Sequence, residues 1–546
     1  MKIVVLGGYG VFGAKLADLL TRDGHDVIVA GRSLEKATAL AAQFGAGALA
    51  VDRAGDLGPL WAANPDAVVD AAGPFHAYGN DPYAFARACI AQGVHYLDLA
   101  DDPAFCAGIT ALDVEAKAAG VFALSGVSSV PAISSAAVAA LADGAQIDTI
   151  STAILPGNRA PRGRSVVASI LHQCGVDFDV PVDGAASPMR SWSRPARFDL
   201  GQGIVRKAWM IEVPDHRLFA DAFGARSVLF RAGLELGVMN WSLAVFSWLR
   251  GFWRFPIPRW LVSFLLFVAK LLYPFGTDEG GMSVAVTLQS AEGWQRRTWR
   301  MVATGGEGPY IPAVAARVVL RDIAAVPKGA RPAVAVVPLD AICAGMADLA
   351  VTHTTVTEDI EPLFARHLGA DYAILPPQVR DLHIVCGPRR WAGRGSVTRG
   401  QSRLARIFAA VFRFPEEAKD IPVTVTMTPY NGGEGWERDF DGQRFRSFLR
   451  RNGESLTERF GPFTFTLGLH VQDDCLHFPV TKGRFGPIPM PRFALPKSIA
   501  REYEKDGRFH FDVALHAPFT GALVVHYKGW LERRVDLDPP LSGFGD

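Results

Sequence analysis

The first part of the chain alternates short unbroken apolar runs with apolar residues at helical spacing. Residues Ile3 to Leu6 are aliphatic throughout, which is typical of a strand buried on both faces of a parallel sheet. After Gly13 the apolar positions are Leu16, Leu19 and Leu20, which lie on one face of a helix. The pattern predicts a strand, a turn and a helix, in that order.

The same alternation continues through five further predicted strands with helical stretches between them. These strands are predicted at His25 to Ser33, Ala46 to Arg53, Asp66 to Phe75, Gly93 to Asp102 and Gly120 to Val127. Strands that alternate with helices form right-handed crossovers and a parallel sheet. We therefore expect an α/β fold that begins with a Rossmann-type doubly wound sheet, with ligands at the carboxyl ends of its strands.

The first turn carries three glycines in the spacing G-x-G-x-x-G, namely Gly8, Gly10 and Gly13. The first allows a sharp turn, the second lets the backbone approach a pyrophosphate, and the third lets the helix pack closely. Backbone N–H groups at the start of the helix would then face the anion. Because the motif follows a predicted strand and precedes a predicted helix, it predicts a dinucleotide site.

The predicted dinucleotide site draws residues from four places in the sheet. Asp52, after the third strand, would meet the adenine end, and the loop after the fourth strand would lie near the nicotinamide. The full predicted set is Gly8, Tyr9, Gly10, Val11, Phe12, Gly13, Arg32, Ser33, Asp52, Ala72, Gly73 and Pro74.

The end of the second strand indicates which dinucleotide is bound. An NAD site usually places a carboxylate there, whereas this chain has Arg32 and Ser33. A guanidinium and a hydroxyl suit a 2′-phosphate. The sequence therefore favours NADP, with NAD as the alternative. The structural alternative is that Arg32 only marks the start of the next helix, with Ser33 as the cap of that helix.

Candidates for proton transfer follow the fourth and fifth strands. They are His76, Asp98 and Asp102, and any of them could accompany hydride transfer. Tyr78 and Asp101 lie in the same segments. For Asp98 the alternative is a structural role at a helix cap or in a loop, and water is the alternative to any side chain.

Several stretches of the chain resemble the saccharopine dehydrogenase-like family with its NADP-binding domain. They are "GGYGVFG", "VIVAGRS", "VVDAAGPF", "YLDLADD" and "GVSSVPAISSAAVAAL", and a weaker similarity extends through Glu307 to Ile323, so about the first 340 residues are covered. The resemblance implies an NAD(P)-dependent oxidoreductase that reduces an imine or oxidises a secondary amine. The cofactor supplies the hydride chemistry, and the protein supplies placement and charge.

The region that should bind the substrate is rich in aromatic and aliphatic residues. A substrate with several carboxylates would need converging Arg or Lys, which the stretch from Gln146 to Cys343 does not suggest. We therefore expect hydride transfer to or from a C–N or carbonyl group of a small, apolar substrate. The alternative is a non-catalytic cofactor-binding scaffold, or a carrier of a lipid-like ligand, at a membrane surface.

The most apolar segment runs from Asn240 to Gly276 and contains four tryptophans with arginines among them. Its uninterrupted apolar part, Trp260 to Ala269, is too short to span a bilayer, and Pro256 and Pro258 divide the segment into two helical pieces. Such a hairpin suits a peripheral membrane contact. The alternatives are a buried helical pair over an apolar substrate pocket, or a homodimer contact.

Composition excludes some functions and suggests a compartment. The 56 Lys+Arg balance 55 Asp+Glu, for a net charge of +1, so nothing indicates a nucleic-acid partner. The six cysteines are scattered without a C-x-x-C pair, as in a reducing cytoplasm. Because the first strand opens the chain, we expect no signal peptide and a cytoplasmic, or membrane-associated, protein.

The last third of the chain changes to alternation at period two, as in Ile421 to Tyr430 and Phe509 to Pro518. This predicts antiparallel strands in a curved sheet or partial barrel. The stretch Tyr372 to Leu531 resembles a bacterial domain family of unknown function. Its six histidines lack the spacing of metal ligands, and we expect no metal site.

These observations predict three folded parts and a linker. The boundaries are 1–140 for the Rossmann domain, 141–345 for an α+β substrate or dimerisation domain that contains the apolar helical segment 240–276, 346–370 for a linker, and 371–546 for a C-terminal, mainly antiparallel β domain.

Overall fold

The computed structural model describes residues 1–161, 163–290, 293–430 and 432–533, without the side chains of Ser165 and Arg259. The chain forms two compact units. Unit 1 consists of Met1–Pro181, Ala186–Gln289 and Arg296–Glu358. Unit 2 begins at Asp359 and also takes in two short segments, Val182–Ala185 and Ser290–Gln295.

The strands are numbered along the chain. In the first half they are β1 Lys2–Leu6, β2 Asp26–Gly31, β3 Gly47–Ala50, β4 Ala67–Asp70, β5 His95–Asp98, β6 Phe122–Ser125, β7 Ile147–Leu155, β8 Asp177–Val182, β9 Ala185–Arg190, β10 Ser193–Asp199, β11 Val205–Met210, β12 Ser227–Ala232, β13 Gly280–Ser290, β14 Gly293–Ala303, β15 Gly329–Pro332 and β16 Val351–Ile360. In the second half they are β17 Arg389–Arg399, β18 Ala418–Tyr430, β19 Gly433–Phe440, β20 Gln443–Asn452, β21 Ser455–Phe460, β22 Phe463–Leu467, β23 His470–Gln472, β24 Cys475–His477, β25 Val480–Phe485, β26 Ile488–Pro489, β27 Lys497–Lys505, β28 Arg508–His516 and β29 Leu523–Arg533.

The α-helices are numbered in the same way. They are α1 Val11–Arg22, α2 Leu34–Phe44, α3 Gly58–Ala62, α4 Ala84–Ala91, α5 Pro103–Gly108, α6 Asp113–Ala118, α7 Ser134–Ala142, α8 Arg164–Gln173, α9 Pro214–Phe223, α10 Gly237–Phe252, α11 Arg259–Leu271, α12 Ile311–Arg321, α13 Leu339–Ala344, α14 Leu363–Leu368, α15 Asp371–Ile374, α16 Pro377–Leu382 and α17 Arg403–Val411.

The first sheet has seven strands in the order β15-β6-β5-β4-β1-β2-β3, and all its pairings are parallel. The chain order reverses between β1 and β4, and in such sheets the crevice outside the strand ends at this point binds ligands. The predicted Rossmann-type sheet is confirmed. Strands β2 to β6 are shorter than predicted, because the predicted ranges included residues of the following loops, such as Asp101.

A second sheet of unit 1 has the order β10-β11-β12-β7-β13-β14-β16. It is mixed, since β12 pairs with β7 in parallel while β13 pairs with β7 antiparallel. One buried apolar cluster joins residues of both sheets with α7 and α12. This confirms the expected α+β fold after the Rossmann sheet.

Unit 2 contains a sheet of thirteen strands in the order β23-β24-β27-β28-β29-β17-β18-β19-β20-β21-β22-β25-β26. Every neighbouring pair runs antiparallel. The predicted antiparallel C-terminal fold is therefore confirmed. The segment 346–370, expected as a linker, contains β16 and α14, which the polar run "VTHTTVTEDI" did not suggest.

The apolar segment 240–276 forms α10 and α11, which are separated by residues 253–258 around the two prolines. Within the described parts of the chain, none of the helices has the length and hydropathy that a membrane crossing needs.

Candidate active site

The turn between β1 and α1 is built from glycines that have no room for a side chain. A Cβ on Gly13 would lie 2.4 Å from the carbonyl oxygen of Gly7, and one on Gly8 would lie 2.7 Å from that of Val5. A Cβ on Gly10 would lie 3.0 Å from the Gly7 oxygen, so the predicted spacing has a steric basis here. No side chain caps α1 at Gly10, so its first turn presents backbone N–H groups as an anion site does.

Gly7 belongs to this turn although the motif does not include it. Its φ is +72°, in the left-handed region, and a Cβ there would lie 2.8 Å from the Cα of Ala72. Gly7 thus lets the turn after β1 pack against the loop after β4. In the sequence, the only sign of this role is that Gly7 directly precedes the first glycine of the motif, Gly8.

Tyr9 fixes the neighbouring turn after β2. The Tyr9 hydroxyl accepts a hydrogen bond from the Ser33 N–H at 3.2 Å. The Tyr9 ring packs against Gly31 so closely that a Cβ on Gly31 would lie 2.5 Å from the ring carbon Cε1. The Ser33 hydroxyl caps α2 by accepting from the Lys36 N–H at 3.3 Å. Tyr9 and Ser33 therefore shape the end of β2.

Two arginines lie near each other at the ends of β2 and β3. Arg32 is exposed, and its charge helps lower the pKa of Arg53, although desolvation is the larger cause. The Arg53 guanidinium stacks on the Tyr78 ring at 3.1 Å, and its buried Nη1 has no hydrogen-bond partner among the described residues. Sequence reasoning missed Arg53. Its neighbour Asp52, predicted at the adenine end, accepts from the Ala54 N–H at 3.1 Å.

Asp70 ends β4 and was also missed by the sequence reasoning. It is fully buried, accepts from the Ala72 N–H at 2.9 Å and receives the Tyr78 hydroxyl at 3.0 Å. Burial raises the pKa of Asp70 to about 6, against the opposing effects of the Ala72 N–H and Arg53. Asp70 therefore positions the loop that carries Ala72, Gly73 and Pro74.

Asp98, a predicted catalytic residue, lies beside Asp70 in the sheet register and is also fully buried. Its Oδ1 accepts from the Ser125 hydroxyl at 3.0 Å and from the N–H groups of Gly126 at 2.8 Å and Ala100 at 3.0 Å. Burial raises the pKa of Asp98 to about 7 despite these bonds. The structure places Asp98 inside the loops after β5 and β6, away from solvent.

Asp102, the second predicted carboxylate, is the N-cap of α5. Its Oδ1 accepts from the Phe105 N–H at 2.8 Å, and Pro103 follows at the first helical position. The neighbouring Asp101 is exposed at the surface, yet desolvation by the surrounding protein raises its pKa. The His76 charge opposes that rise, so the two side chains lie within electrostatic reach.

His76 is the predicted catalytic residue that the structure leaves exposed. It lies in the 3₁₀ turn Phe75–Ala77 after β4, and its ring stacks on that of His172 with centroids 5.6 Å apart and planes at 9°. His172 comes from α8. The contact brings together the end of β4 and a helix from the region after the Rossmann sheet.

The residues at this edge of the sheet fit a dinucleotide with an extra phosphate. The glycine turn leaves space beside uncapped helical N–H groups, and Arg32 with the unpartnered Nη1 of Arg53 supplies positive charge near the end of β2. No carboxylate occupies the end of β2, where NAD sites have one.

Unit 2 contains a separate cavity of about 110 Å³. Apolar side chains line most of it, and many of them are aromatic, among them Phe364, Phe412, Trp436 and Tyr527. Arg438 and Glu458 form an ion pair in its wall at 3.3 Å.

Two of the six C-terminal histidines hydrogen-bond to carboxylates, and His470 stacks on His477 with ring centroids 5.0 Å apart. His383 Nε2 lies 2.7 Å from Glu502, and His526 Nε2 lies 2.7 Å from Asp512. Across the described ranges, no three His, Cys, Asp or Glu side chains converge as a metal site requires.

Comparisons with known proteins were made for the sequence and for the fold. Residues 3–124 match the family described as the saccharopine dehydrogenase NADP binding domain, and residues 375–531 match a domain of unknown function, DUF4166. No curated protein gives a significant match.

Two solved structures illustrate the fold likeness. Saccharopine dehydrogenase (L-Glu forming) from Saccharomyces cerevisiae is 15% identical, with 65% of this chain and 99% of that chain covered and a TM-score of 0.47. UDP-N-acetylglucosamine 3-dehydrogenase from Acidithiobacillus ferrooxidans is 14% identical, with 64% and 96% covered and a TM-score of 0.29. At these scores neither likeness indicates a substrate for this chain.

The family matches confirm the predicted pairing of domains and the predicted NADP cofactor. They also confirm the class of an NAD(P)-dependent oxidoreductase. The chain thus joins an NADP-binding domain of the saccharopine dehydrogenase family to a DUF4166 domain.

Proposed function

We propose that the protein transfers hydride between NADP and a C–N or carbonyl group of a small, apolar substrate. The observation that carries this proposal is the position of His76. It is exposed after β4, at the same strand-end edge as the glycine turn, on the side where the nicotinamide lies in this fold. The nicotinamide supplies the hydride, and His76 supplies or accepts the accompanying proton.

The neighbours of His76 suit this role. Asp101 lies within electrostatic reach of the His76 side chain. His172 stacks on the ring and restricts its orientation. Asp98 and Asp102 hold the loops around His76 through their backbone hydrogen bonds, so we assign them a positioning role.

An apolar substrate is supported by how the arginines of the second sheet are used. Arg206 donates to the carbonyls of Leu155 and Glu279 and pairs with Glu235 at 3.0 Å. Arg231 is buried and donates to the carbonyl of Arg194. The Arg206 guanidinium is occupied by the protein and Arg231 is buried with its Nε bonded, which argues against a substrate with several carboxylates.

The test is a turnover screen with purified full-length protein. NADPH is mixed with apolar aldehydes, ketones and preformed imines, and the near-ultraviolet absorbance of the reduced nicotinamide is followed. We expect turnover with members of this set and none with their dicarboxylate analogues. Calorimetry gives the coenzyme affinity separately, and no heat with either coenzyme would overturn the proposal. Tight NADPH binding without any turnover would favour the scaffold alternative.

A second function is favoured by the cavity of unit 2, as a site for a compact apolar ligand. Arg438 donates to the Ser447 hydroxyl at 2.8 Å and to Glu458, so its charge is balanced within the wall. A neutral molecule with one hydroxyl or carbonyl suits such a site better than an anion. The volume of about 110 Å³ is comparable with engineered cavities of about 150 Å³ that bind benzene.

Displacement of the fluorescent probe N-phenyl-1-naphthylamine tests this second function. A medium-chain alcohol should displace the probe, and the matching carboxylate should do so at least tenfold less well. Ala500 lines the cavity, so Ala500→Phe should remove this component of binding. The exposed Ile488 does not line it, and Ile488→Phe should leave binding unchanged. Equal displacement in both variants would contradict a site in the cavity.

A further inference from the structure

Helices α10 and α11 expose their apolar faces. Large apolar side chains that are exposed in both helices and in the residues around them are Val238, Trp241, Val245, Trp248, Leu249, Phe252, Trp253, Phe255, Trp260, Phe264, Phe267, Leu271, Tyr273 and Phe275. These are 14 of the 27 exposed large apolar side chains among the described residues. Exposed apolar side chains concentrated in this way in one segment of the chain indicate an interaction surface.

Each helix carries the exposed residues in one stripe. In α10 the stripe is Trp241, Val245, Trp248 and Phe252, and in α11 it is Trp260, Phe264, Phe267 and Leu271. Both follow the spacing i, i+4, i+7, i+11, which keeps the side chains on one helical face. The exposed tryptophans of this segment are 54 to 74% accessible.

The fully buried residues of α10 are polar, although the partly buried Leu243, Ala244 and Phe246 also pack against an apolar cluster of unit 1. The buried polar residues are Asn240, Ser247 and Arg250. Arg250 Nη1 donates to the carbonyls of Leu171 at 2.6 Å and Cys174 at 2.8 Å. Most of the large apolar side chains of α10 nevertheless face outward, and such a distribution suits surroundings less polar than water.

Hydrogen bonds hold both ends of the hairpin on unit 1. The Asn240 side chain bonds both backbone groups of Leu234, at 2.6 and 2.8 Å. At the other end, Asn158 Nδ2 donates to the Leu272 carbonyl at 2.7 Å. The two helices that carry the apolar stripes are therefore fixed to unit 1 at both ends of the segment.

Charges identify the partner. The stretch from Gly237 to Phe275 contains no Asp or Glu but four basic residues, Arg250, Arg254, Arg259 and Lys270. Lys207 lies 5.8 Å from the Trp241 ring and Arg159 lies 5.9 Å from the Tyr273 ring, which adds cations beside the stripes. Apolar stripes bordered by cations match acyl chains under anionic headgroups.

We propose that the α10–α11 hairpin docks the protein on the surface of a bilayer that contains anionic lipid. The exposed aromatic rings enter the headgroup region, while Arg254 and Lys270 contact phosphates. A second copy of the chain is the less suitable partner, because a two-fold contact would bring the cations of the two hairpins together without acids to balance them.

Vesicle flotation of the full-length protein tests this proposal. We expect the wild type to float with vesicles of phosphatidylcholine and phosphatidylglycerol, and at least tenfold less with phosphatidylcholine alone. The double variant Trp253→Ser/Trp260→Ser should lose at least tenfold in binding, and Arg254→Glu/Lys270→Glu should lose binding only to the anionic vesicles. The matched control is Ile488→Ser/Phe493→Ser, which removes two exposed apolar residues of unit 2 and should float as the wild type does.

Two results would overturn the proposal. One is equal flotation of the wild type and the Trp253→Ser/Trp260→Ser variant, or flotation of neither. The other is a lipid-free dimer, measured by light scattering, that this double variant converts to monomer while flotation is unchanged. Circular dichroism and NADPH affinity equal to those of the wild type establish that the variants are folded.

Discussion

His76 and His172 stack face to face, with ring centroids 5.6 Å apart and ring planes 9° from parallel. One follows a strand of the Rossmann sheet and the other lies near the end of α8, so two separate segments meet at the proposed proton carrier.

Substitutions of the two stacked histidines should distinguish the proposed proton transfer by His76 from the packing role of His172. His76→Asn should lower kcat by about 100-fold or more, because it removes the proton-transfer group, and should leave the Kd of NADPH unchanged. His172→Phe preserves a stacked ring and should change kcat only severalfold. The measurement is steady-state kinetics on any substrate found in the screen, with kcat followed against pH. Full activity of His76→Asn would assign proton transfer to another group.

Arg32 should discriminate between the two coenzymes. Arg32→Ala should raise the Kd of NADPH about 10- to 100-fold, because a charge-assisted contact to the 2′-phosphate is lost, while the Kd of NADH stays the same. Calorimetry measures both. The control Lys117→Ala removes an exposed cation of α6 that pairs with Asp113 and should affect neither constant. An equal loss for both coenzymes would show that Arg32 does not select the phosphate.

Arg317 should contribute far more to stability than its neighbour Arg321. Both bind Asp23, but Arg317 is buried and also pairs with Asp348 at 2.6 Å, whereas Arg321 is partly exposed. Arg317→Ala should cost about 3 kcal/mol in the free energy of unfolding, since it leaves a buried carboxylate short of a partner. Arg321→Ala should cost less than about 1 kcal/mol. Urea unfolding checks both, and equal losses would contradict this assignment.

The same network should make the protein sensitive to acid. Desolvation alone would raise the pKa of Asp23, but the hydrogen bonds and charges of Arg317 and Arg321 outweigh it and hold the pKa well below its usual range. The ion pairs of Asp23 therefore contribute to the free energy of unfolding at neutral pH. This contribution is lost in strong acid, as the pH falls through the lowered pKa of Asp23.

Asp215 should have the opposite effect on stability. It is fully buried at the start of α9, and desolvation raises its pKa to about 8. Between about pH 4 and pH 8 the unfolded chain therefore loses a proton that the folded chain keeps, so stability falls as pH rises, by at most about 1.4 kcal/mol per pH unit.

Asp215→Asn should make the fall in stability between about pH 5 and pH 8 less steep, because the amide does not ionise. Urea unfolding at several pH values measures this difference. The control Asp221→Asn changes an exposed carboxylate on the same helix and should leave the slope unchanged. A slope equal to the wild type in Asp215→Asn would mean that Asp215 ionises within the fold.

The sequence predicted those features that depend on local spacing. The strand-turn-helix around Gly8, Gly10 and Gly13 was accessible because steric demand and hydrophobic periodicity act within a few residues. The cap at Asp102 has a sequence signal as well, an Asp before Pro103, but the sequence analysis considered a cap for Asp98 and proposed Asp102 for proton transfer.

Features that depend on distant contacts were not accessible. Asp70 has the appearance of an ordinary strand end, and its role comes from Tyr78 folding back over it. Arg53 stacks on Tyr78, and His172 stacks on His76. These residues are far apart in the sequence, and only the tertiary fold brings them into contact. The apolar segment is visible in the sequence, but only the structure shows that Asn240, Ser247 and Arg250 of α10 are buried while its tryptophans are exposed.

Helix α8 links the hairpin to the stacked histidines. Arg164 at its start donates to Ser263 of α11 at 3.1 Å, and His172 near its end contacts His76. Ten residues of helix measure about 15 Å. With α10 and α11 on a bilayer as proposed, α8 would hold His76 about one helix length from the lipid-facing residues, which is roughly half the thickness of a bilayer's hydrocarbon core.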